Sequence, residues 1–154
     1  MKWRWHGEQD KREMEHKEVL RVTSKLLIPP IMLFGLYVQF HGDFGPGGGF
    51  QAGVIFASAF ILYAIIFGID IGRKVIPPPV RRWMLSCGLL LYAGVGVASL
   101  FLGGNYLDYS VLLENPVAGQ HLGILLIEFG VGTTVAGAMI TIFYIFANQV
   151  GQDD

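Results

Sequence analysis

One stretch organises this chain: His41-Gly42-Asp43-Phe44-Gly45-Pro46-Gly47-Gly48-Gly49-Phe50-Gln51-Ala52-Gly53. Five of its first nine residues are glycine, and Pro46 fixes one φ angle among them, so the backbone is free to adopt crowded conformations that side chains would forbid. A turn alone needs about two glycines. The composition therefore favours a backbone that lies against another helix, another subunit or an ion path, with a flexible connection as the alternative.

The overall composition is that of a membrane protein. Hydrophobic residues make up 53% of the 154 residues, charged residues make up 15%, and the mean hydropathy is +0.50. Four apolar runs each approach the ~20 residues that a helix needs to cross the hydrocarbon core. They lie at about residues 23–40, 50–71, 83–102 and 122–146. We predict an all-α integral membrane protein with four transmembrane helices, whose membrane domain at 23–147 is flanked by a charged segment at 1–22 and a tail at 148–154.

The basic residues predict how these helices are oriented. All 11 lysines and arginines precede or begin the first apolar run, or lie between the second and the third. Four spans place these two segments on one side of the membrane, and the positive-inside rule makes that side cytoplasmic. We therefore predict cytoplasmic N and C termini and an external glycine-rich loop, in a multi-pass protein of the cell inner membrane. No cleavable signal peptide is expected, because residues 1–22 are highly charged.

Several kinds of site are not expected. Cys87 is the only cysteine, so an intrachain disulfide and a cysteine metal site are excluded. The triple glycine resembles a phosphate-binding loop only superficially, because no Gly-Lys-Ser/Thr sequence follows it. We predict no metal, no cofactor, no catalytic chemistry and no nucleic-acid partner.

Glu128 is the residue that most needs an explanation. It lies in the fourth apolar run, about 9 Å along the helix from Leu122, where a charged side chain costs about 2.5 kcal/mol or more. We expect it to be protonated, paired or facing a hydrated cavity. His121, seven residues earlier, falls on almost the same helical face, so a hydrated path between the two is geometrically reasonable. Ion or proton handling and a structural hydrogen bond to a neighbouring helix or subunit both stay open.

The remaining candidates flank the second span. His41 is expected to cap or hydrogen-bond at the wet interface, with proton handling as the alternative. The second helix opens directly from the glycines, so its N-terminus suits an anion or a carboxylate more than a bare cation. Residues expected to shape the loop and the helix start are Gly45, Pro46, Gly47, Gly48, Gly49, Phe50, Gln51 and Gly53. Asp70 precedes Arg73 and Lys74 by three and four residues, which predicts an interfacial ion pair.

Two segments carry a family resemblance: Tyr37-Val38-Gln39-Phe40-His41-Gly42 through Gln51-Ala52-Gly53, and Glu128-Phe129-Gly130-Val131-Gly132. They resemble the MnhB domain of the Mrp-type multisubunit sodium/proton antiporters, whose four-helix layout covers nearly the whole chain. The resemblance implies a small subunit of a hetero-oligomeric antiporter, in which larger subunits carry the lysine and glutamate relays. Family members often have a second histidine where this chain has Asp43. If that position handles protons in relatives, this chain does so differently or not at all.

We therefore predict a subunit that supports sodium or potassium/proton antiport. Its expected partners are the other antiporter subunits, the lipid bilayer, sodium or potassium ions, and protons. Glu128 is the first candidate for contact with the ion or proton, followed by His121 and His41. Similar subunits occur in membrane-bound hydrogenase-type complexes, so a non-transporting scaffold in a redox-driven complex is the alternative. A self-sufficient channel or exchanger is a third possibility, which one buried acid and no interior lysine disfavour.

Overall fold

The computed structural model describes the backbone of residues 3–42 and 47–150, and the side chains of residues 17–42 and 47–149. This part of the chain is helical and contains no strand. Its elements are α1 (Trp3–His41), α2 (Gly49–Phe67), α3 (Ile69–Val75), α4 (Pro78–Phe101), a 3-10 turn (Tyr109–Val111) and α5 (Pro116–Val150). Four segments are long and apolar enough to cross a membrane: Lys17–His41, Gly49–Phe67, Pro78–Phe101 and Pro116–Gln149. The prediction of an all-helical protein with four spans is confirmed.

The second span is shorter than the sequence predicted. Helix α2 ends at Phe67 rather than near residue 71, because Gly68 adopts a φ of +107°, which L side chains rarely take. A short second helix, α3, begins directly after Gly68. Asp70 therefore belongs to α3 and not to the span itself.

Helices α4 and α5 begin earlier than residues 83 and 122, where the apolar runs start. Pro77 is extended, with φ −69° and ψ 161°, and prolines follow at the first helical positions of α4. These positions suit proline because the first N–H groups of a helix have no intrahelical partner. At the start of α5, the side chain of Asn115 accepts a hydrogen bond from the N–H of Val117 at 3.0 Å. A hydropathy pattern does not detect helix starts that lie at prolines or after a polar residue.

Helix α5 is the centre of the fold, because it packs against both α2 and α4, while α1 packs mainly on α2. Gly49 lies against Glu128 and Gly53 lies against Gly132, so α2 and α5 run parallel. The four spans thus alternate in direction. One end of the bundle, the Glu128 end, holds the 41–49 connection.

The opposite end of the bundle, the Arg81 end, holds the start of α4. Met84 lies against Gly137 and Gly88 lies against Thr134, so α4 and α5 run antiparallel. A buried hydrophobic cluster lies towards this end and contains Ala57, Ala64, Ile76, Ile140 and Tyr144. Most large apolar side chains instead face outward, as expected where lipid or other subunits cover the helices.

Candidate functional site

The carboxyl group of Glu128 lies against two glycines of the 41–49 connection. A Cβ atom at Gly42 would overlap both carboxyl oxygens, and a Cβ at Gly48 would stand 3.0 Å from Oε1. Glu128 itself is half-buried on α5. The glycines therefore leave the space that this carboxyl group occupies, and side chains at either position would displace it.

The backbones of α2 and α5 are in direct contact next to this carboxyl group. A Cβ at Gly49 would overlap the Glu128 carbonyl oxygen and stand 2.8 Å from its carbon. One turn later, a Cβ at Gly53 would stand 2.5 Å from the Gly132 carbonyl oxygen. This spacing of small residues lets two helices approach at backbone distance, as small-xxx-small patterns do in membranes. We call the assembly of Gly42, Gly48, Gly49 and Glu128 the glycine–glutamate junction.

The junction places a carboxyl group at the N-terminus of a membrane helix. Gly48 is the N-cap residue of α2, it has a φ of +117°, and it supplies no capping side chain. The first N–H groups of a helix lack intrahelical partners and carry the positive end of the dipole. A carboxylate at this end is stabilised electrostatically, which reduces the cost of a charge at this depth. The charge state of Glu128 is therefore coupled to the first turn of α2.

Gln39 adds a third helix to the neighbourhood of the junction. It is 9% exposed on α1, and its Oε1 lies 2.5 Å from the position that a Cβ at Gly132 would occupy. Beside it, a cavity of about 290 Å³ lies between α1, α2, α4 and α5. Its lining is mostly apolar and includes Leu36, Phe56, Met84, Phe129 and Ala136, together with Gln39 and Thr133. The polar side chain of Gln39 therefore joins α1 to the contact between α2 and α5, next to this mostly apolar cavity.

The chain was compared with known families and proteins. A family model described as "Domain related to MnhB subunit of Na+/H+ antiporter" matches residues 19–141. This chain belongs to that family. A protein of Staphylococcus aureus (strain Newman) named "Putative antiporter subunit mnhB2" is 35% identical over 131 residues, covering 83% of this chain and 92% of the relative. A protein of the same name from Staphylococcus haemolyticus (strain JCSC1435) is 34% identical over the same length and shares.

The family match covers the whole junction, and the resemblance seen in the sequence is confirmed. Its two segments, around His41-Gly42 and around Glu128, are distant in the sequence but meet in the fold of this MnhB-family chain. The relatives are named as antiporter subunits, which belong to a transporter family. The chain is a multi-pass membrane protein of this family.

The two histidine candidates of the MnhB-family chain lie close to the junction in sequence but at the surface. His41 is exposed, and its ring stacks on Tyr37 with centroids 4.4 Å apart. It directly precedes Gly42, whose Cα faces Glu128. His121 is exposed on α5, about 10 Å along the helix axis from Glu128. All three remain candidates for the ion or proton path.

The other loop candidates divide into packed and exposed residues. A Cβ at Gly47 would stand 3.1 Å from the Val38 carbonyl oxygen, so Gly47 lies against α1. Phe50 is 61% exposed and Gln51 is also exposed at the start of α2. Gly45 and Pro46 lie outside the described residues, and so does Asp43.

The predicted ion-pair residues lie at the Arg81 end, away from the junction. Asp70 Oδ1 and Arg73 Nη1 are 4.0 Å apart, and Asp70 is largely exposed. Lys74 is exposed. Such an exposed pair contributes about 0–1 kcal/mol to stability. Across residues 17–42 and 47–149, no group of three His, Cys, Asp or Glu side chains could hold a metal ion.

Three residues at or beside the junction were missed as site residues by the sequence analysis: Gly42, Gln39 and Gly132. Gln39 and Gly42 belong to the first resembling segment and Gly132 to the second. Two sequence features could have indicated them: Gln39 is a polar side chain inside an apolar run, and Gly132 is a glycine close to Glu128 in the sequence. Their contacts depend on which helices are neighbours, which the apolar pattern of each span does not specify.

Proposed function

We propose that this chain is a small subunit of a multisubunit cation/proton antiporter, which moves sodium or potassium out of the cell in exchange for protons. In this role it contributes to the assembly of the complex and, through Glu128, to the ion path. Family membership supports the antiporter assignment. The observation that carries the ion-path assignment is the position of the Glu128 carboxyl group between Gly42, Gly48 and the start of α2.

Glu128 takes part in the ion path by changing its charge at the N-terminus of α2. When ionised, the carboxylate is stabilised by the positive end of the helix and attracts a cation or proton. When protonated or bound to a cation, it no longer contributes a negative charge to that end. His41 and His121 are the proposed groups that exchange protons between this carboxyl group and water; the exposure of both side chains in the chain supports this role.

The orientation proposed for the chain places the junction towards the outside and the Arg81 end in the cytoplasm of an inner-membrane protein. The alternating helices bring residues 17–25 and 73–82 to the same end, and these segments contain most of the lysines and arginines. The positive-inside rule assigns this end to the cytoplasm, together with both termini.

The assembly role is supported by the outward faces of the helices. Apart from its chain neighbours and the backbone of α4, no described atom lies within 4 Å of a Cβ placed at Gly94. Gly94 lines an open cavity of about 260 Å³ with residues that include Leu90, Ala98 and Leu122. Gly94 therefore leaves open space at this groove, and we propose that a helix of another subunit lies there.

A non-transporting scaffold in a hydrogenase-type complex is the second candidate function. The enclosure of the Glu128 carboxyl group by glycines of the same chain favours it, because a structural hydrogen bond would need the same surroundings. Under this hypothesis Glu128 fastens α5 to the start of α2 and never exchanges a proton during turnover.

Deleting and restoring the subunit separates the two functions. Everted membrane vesicles from cells that lack this chain are predicted to lose sodium- or potassium-dependent proton exchange, and the restored chain should return it. Native gels report separately whether the complex assembles. Retained exchange without the chain would contradict the antiporter assignment, and loss of hydrogen-dependent electron transfer instead would support the scaffold.

A further inference from the structure

A cluster of basic and aromatic side chains lies at the Arg81 end of the bundle. The guanidinium carbon of Arg81, on α4, is 4.6 Å from the ring centroid of Tyr144, on α5. The guanidinium carbon of Arg73, on α3, is 5.7 Å from the same centroid, and Arg73 also donates a hydrogen bond to the side chain of Asn148. Three helices thus gather two guanidinium groups around one aromatic ring.

The described residues next to this cluster supply little negative charge. Asp70 is the only acidic residue between Ile69 and Trp83, a segment that also contains Arg73, Lys74, Arg81 and Arg82. Its carboxylate lies 4.0 Å from Arg73 and its side chain is 95% exposed, so solvent screens the interaction. The neighbouring part of α5, residues 141–149, has no charged side chain. The positive charge of the cluster is therefore not balanced by these segments.

Arg81 is the buried member of the cluster. Its side chain is 9% exposed, and its buried Nε has no hydrogen-bond partner among the described residues. The Tyr144 ring attracts the cation through its π face but offers no acceptor in the guanidinium plane. Buried cations are normally paired with an anion, because an unpaired one loses its hydration without compensation. An oxygen anion is the group that would complete this site.

We propose that Arg81 and Arg73 bind the phosphate group of an anionic phospholipid. The planar guanidinium fork matches two phosphate oxygens, so arginine is well suited to bind a phosphate group. Arg73, with 32% of its side chain exposed, is the more exposed of the two arginines in the site.

The position of the cluster in its span identifies a lipid as the source of that phosphate. Arg81 lies in the first turn of α4, at the end of the apolar span, where lipid phosphates stand. Trp83 is 68% exposed, as expected of an aromatic ring at the headgroup level.

The test uses the full chain in bilayers that mix phosphatidylglycerol with phosphatidylcholine. Trp3→Phe, Trp5→Phe and Trp83→Phe remove the native tryptophans, and Ile145→Trp places one tryptophan at an exposed position next to Tyr144. Bromine atoms on the acyl chains of one lipid quench its fluorescence. Brominated phosphatidylglycerol is expected to quench more strongly than brominated phosphatidylcholine at equal mole fraction. Arg81→Gln should reduce this preference about five-fold, the scale of one basic residue at an anionic surface. The preference should persist in 0.5 M NaCl, which screens surface charges but not a partly buried contact.

Arg21→Gln is the matched control, because Arg21 is an exposed basic residue on α1. In 0.5 M NaCl it should change the preference less than about two-fold, because salt at this concentration screens an exposed charge. Equal quenching by both lipids in the parent chain, or equal losses with Arg81→Gln and Arg21→Gln, would overturn the proposal. Displacement of the lipid by millimolar inorganic phosphate would assign the site to the free anion instead.

A partner carboxylate is the competing occupant. It would be indicated if the parent chain shows no lipid preference while Arg81→Gln prevents assembly of the complex on native gels, and this outcome also overturns the proposal. Circular dichroism and size-exclusion chromatography check that each variant folds. If Arg81→Gln does not fold, Arg73→Gln carries the same test, with loss of the preference expected.

Discussion

Replacing Gly49 with alanine tests the closest helix contact of the fold. The new Cβ would stand 2.8 Å from the carbonyl carbon of Glu128 and 3.0 Å from its Cα, and it would overlap the carbonyl oxygen. Non-bonded carbons prefer about 3.5–4.0 Å, so the start of α2 must move away from α5 by roughly 1 Å. All three crowded atoms are backbone atoms, which cannot move aside by changing rotamer.

The expected cost follows from this overpacking. Extra carbons in a packed interior typically cost about 1–3 kcal/mol, which lowers the folded-to-unfolded ratio by a factor of about 5 to 150. The assay is equilibrium unfolding of the purified full chain in mixed dodecyl maltoside and SDS micelles, followed by circular dichroism. Gly49→Ala should unfold at a lower SDS fraction than the parent chain.

Gly94→Ala is the matched control for Gly49→Ala. Gly94 also lies in a helix, but apart from its chain neighbours and that helix's backbone no described atom lies within 4 Å of the position of its Cβ. Alanine there should leave stability unchanged or raise it by up to about 1 kcal/mol, because alanine favours the helix. If Gly49→Ala is as stable as Gly94→Ala, then α2 and α5 do not touch at Glu128 and the described junction is wrong.

Three further predictions address the packing, the orientation and the loop. Tyr144→Ala should destabilise the chain by about 3–5 kcal/mol in the same unfolding assay, because it empties a buried aromatic site, and an unchanged midpoint would contradict this. In a Cys87→Ser background, Glu114→Cys should react with a membrane-impermeant maleimide in intact cells. Lys74→Cys should react only after the cells are permeabilised. The reverse pattern would contradict the proposed orientation. Burial raises the pKa of Tyr109. The contribution of this residue to the free energy of unfolding should therefore be complete below about pH 10 and should be lost as the pH rises further. The difference in absorbance titration between the parent chain and Tyr109→Phe should therefore have its midpoint above 10, and a midpoint below 10 would contradict the burial of Tyr109.

The spans of this protein follow from its sequence because hydropathy alone identifies segments that must be helical in a membrane. The ends of the spans do not follow from it. Helix α5 begins at Pro116 after the hydrogen-bonding side chain of Asn115, and α2 ends where Gly68 takes a positive φ. These ends depend on single residues whose effect is local, while the apolar run is a property averaged over many.

The site could be predicted only in part for a related reason. The glycines of the 41–49 connection indicated a close backbone contact, and the position of Glu128 in an apolar run indicated a pairing or a polar surrounding. The sequence does not show that the glycines and Glu128 contact each other. That Glu128 fills the space at Gly42 and Gly48 depends on α2 and α5 being parallel neighbours, which only the fold specifies.

The proposal that Glu128 belongs to the ion path can be tested with Glu128→Gln in the assembled complex. Glutamine keeps the shape of the side chain against Gly42 and Gly48 but removes its charge and its proton. Glu128→Ala removes the side chain as well, and Glu114→Gln is the control for an exposed carboxylate on the connection between α4 and α5.

The measurement is sodium- or potassium-dependent proton exchange in everted vesicles across a range of pH, with assembly checked on native gels. We expect that Glu128→Gln assembles normally while its exchange collapses or shifts in pH dependence, and that Glu114→Gln behaves like the parent. If Glu128→Gln exchanges protons like the parent and only Glu128→Ala fails to assemble, the carboxyl group is structural and the ion-path proposal is wrong.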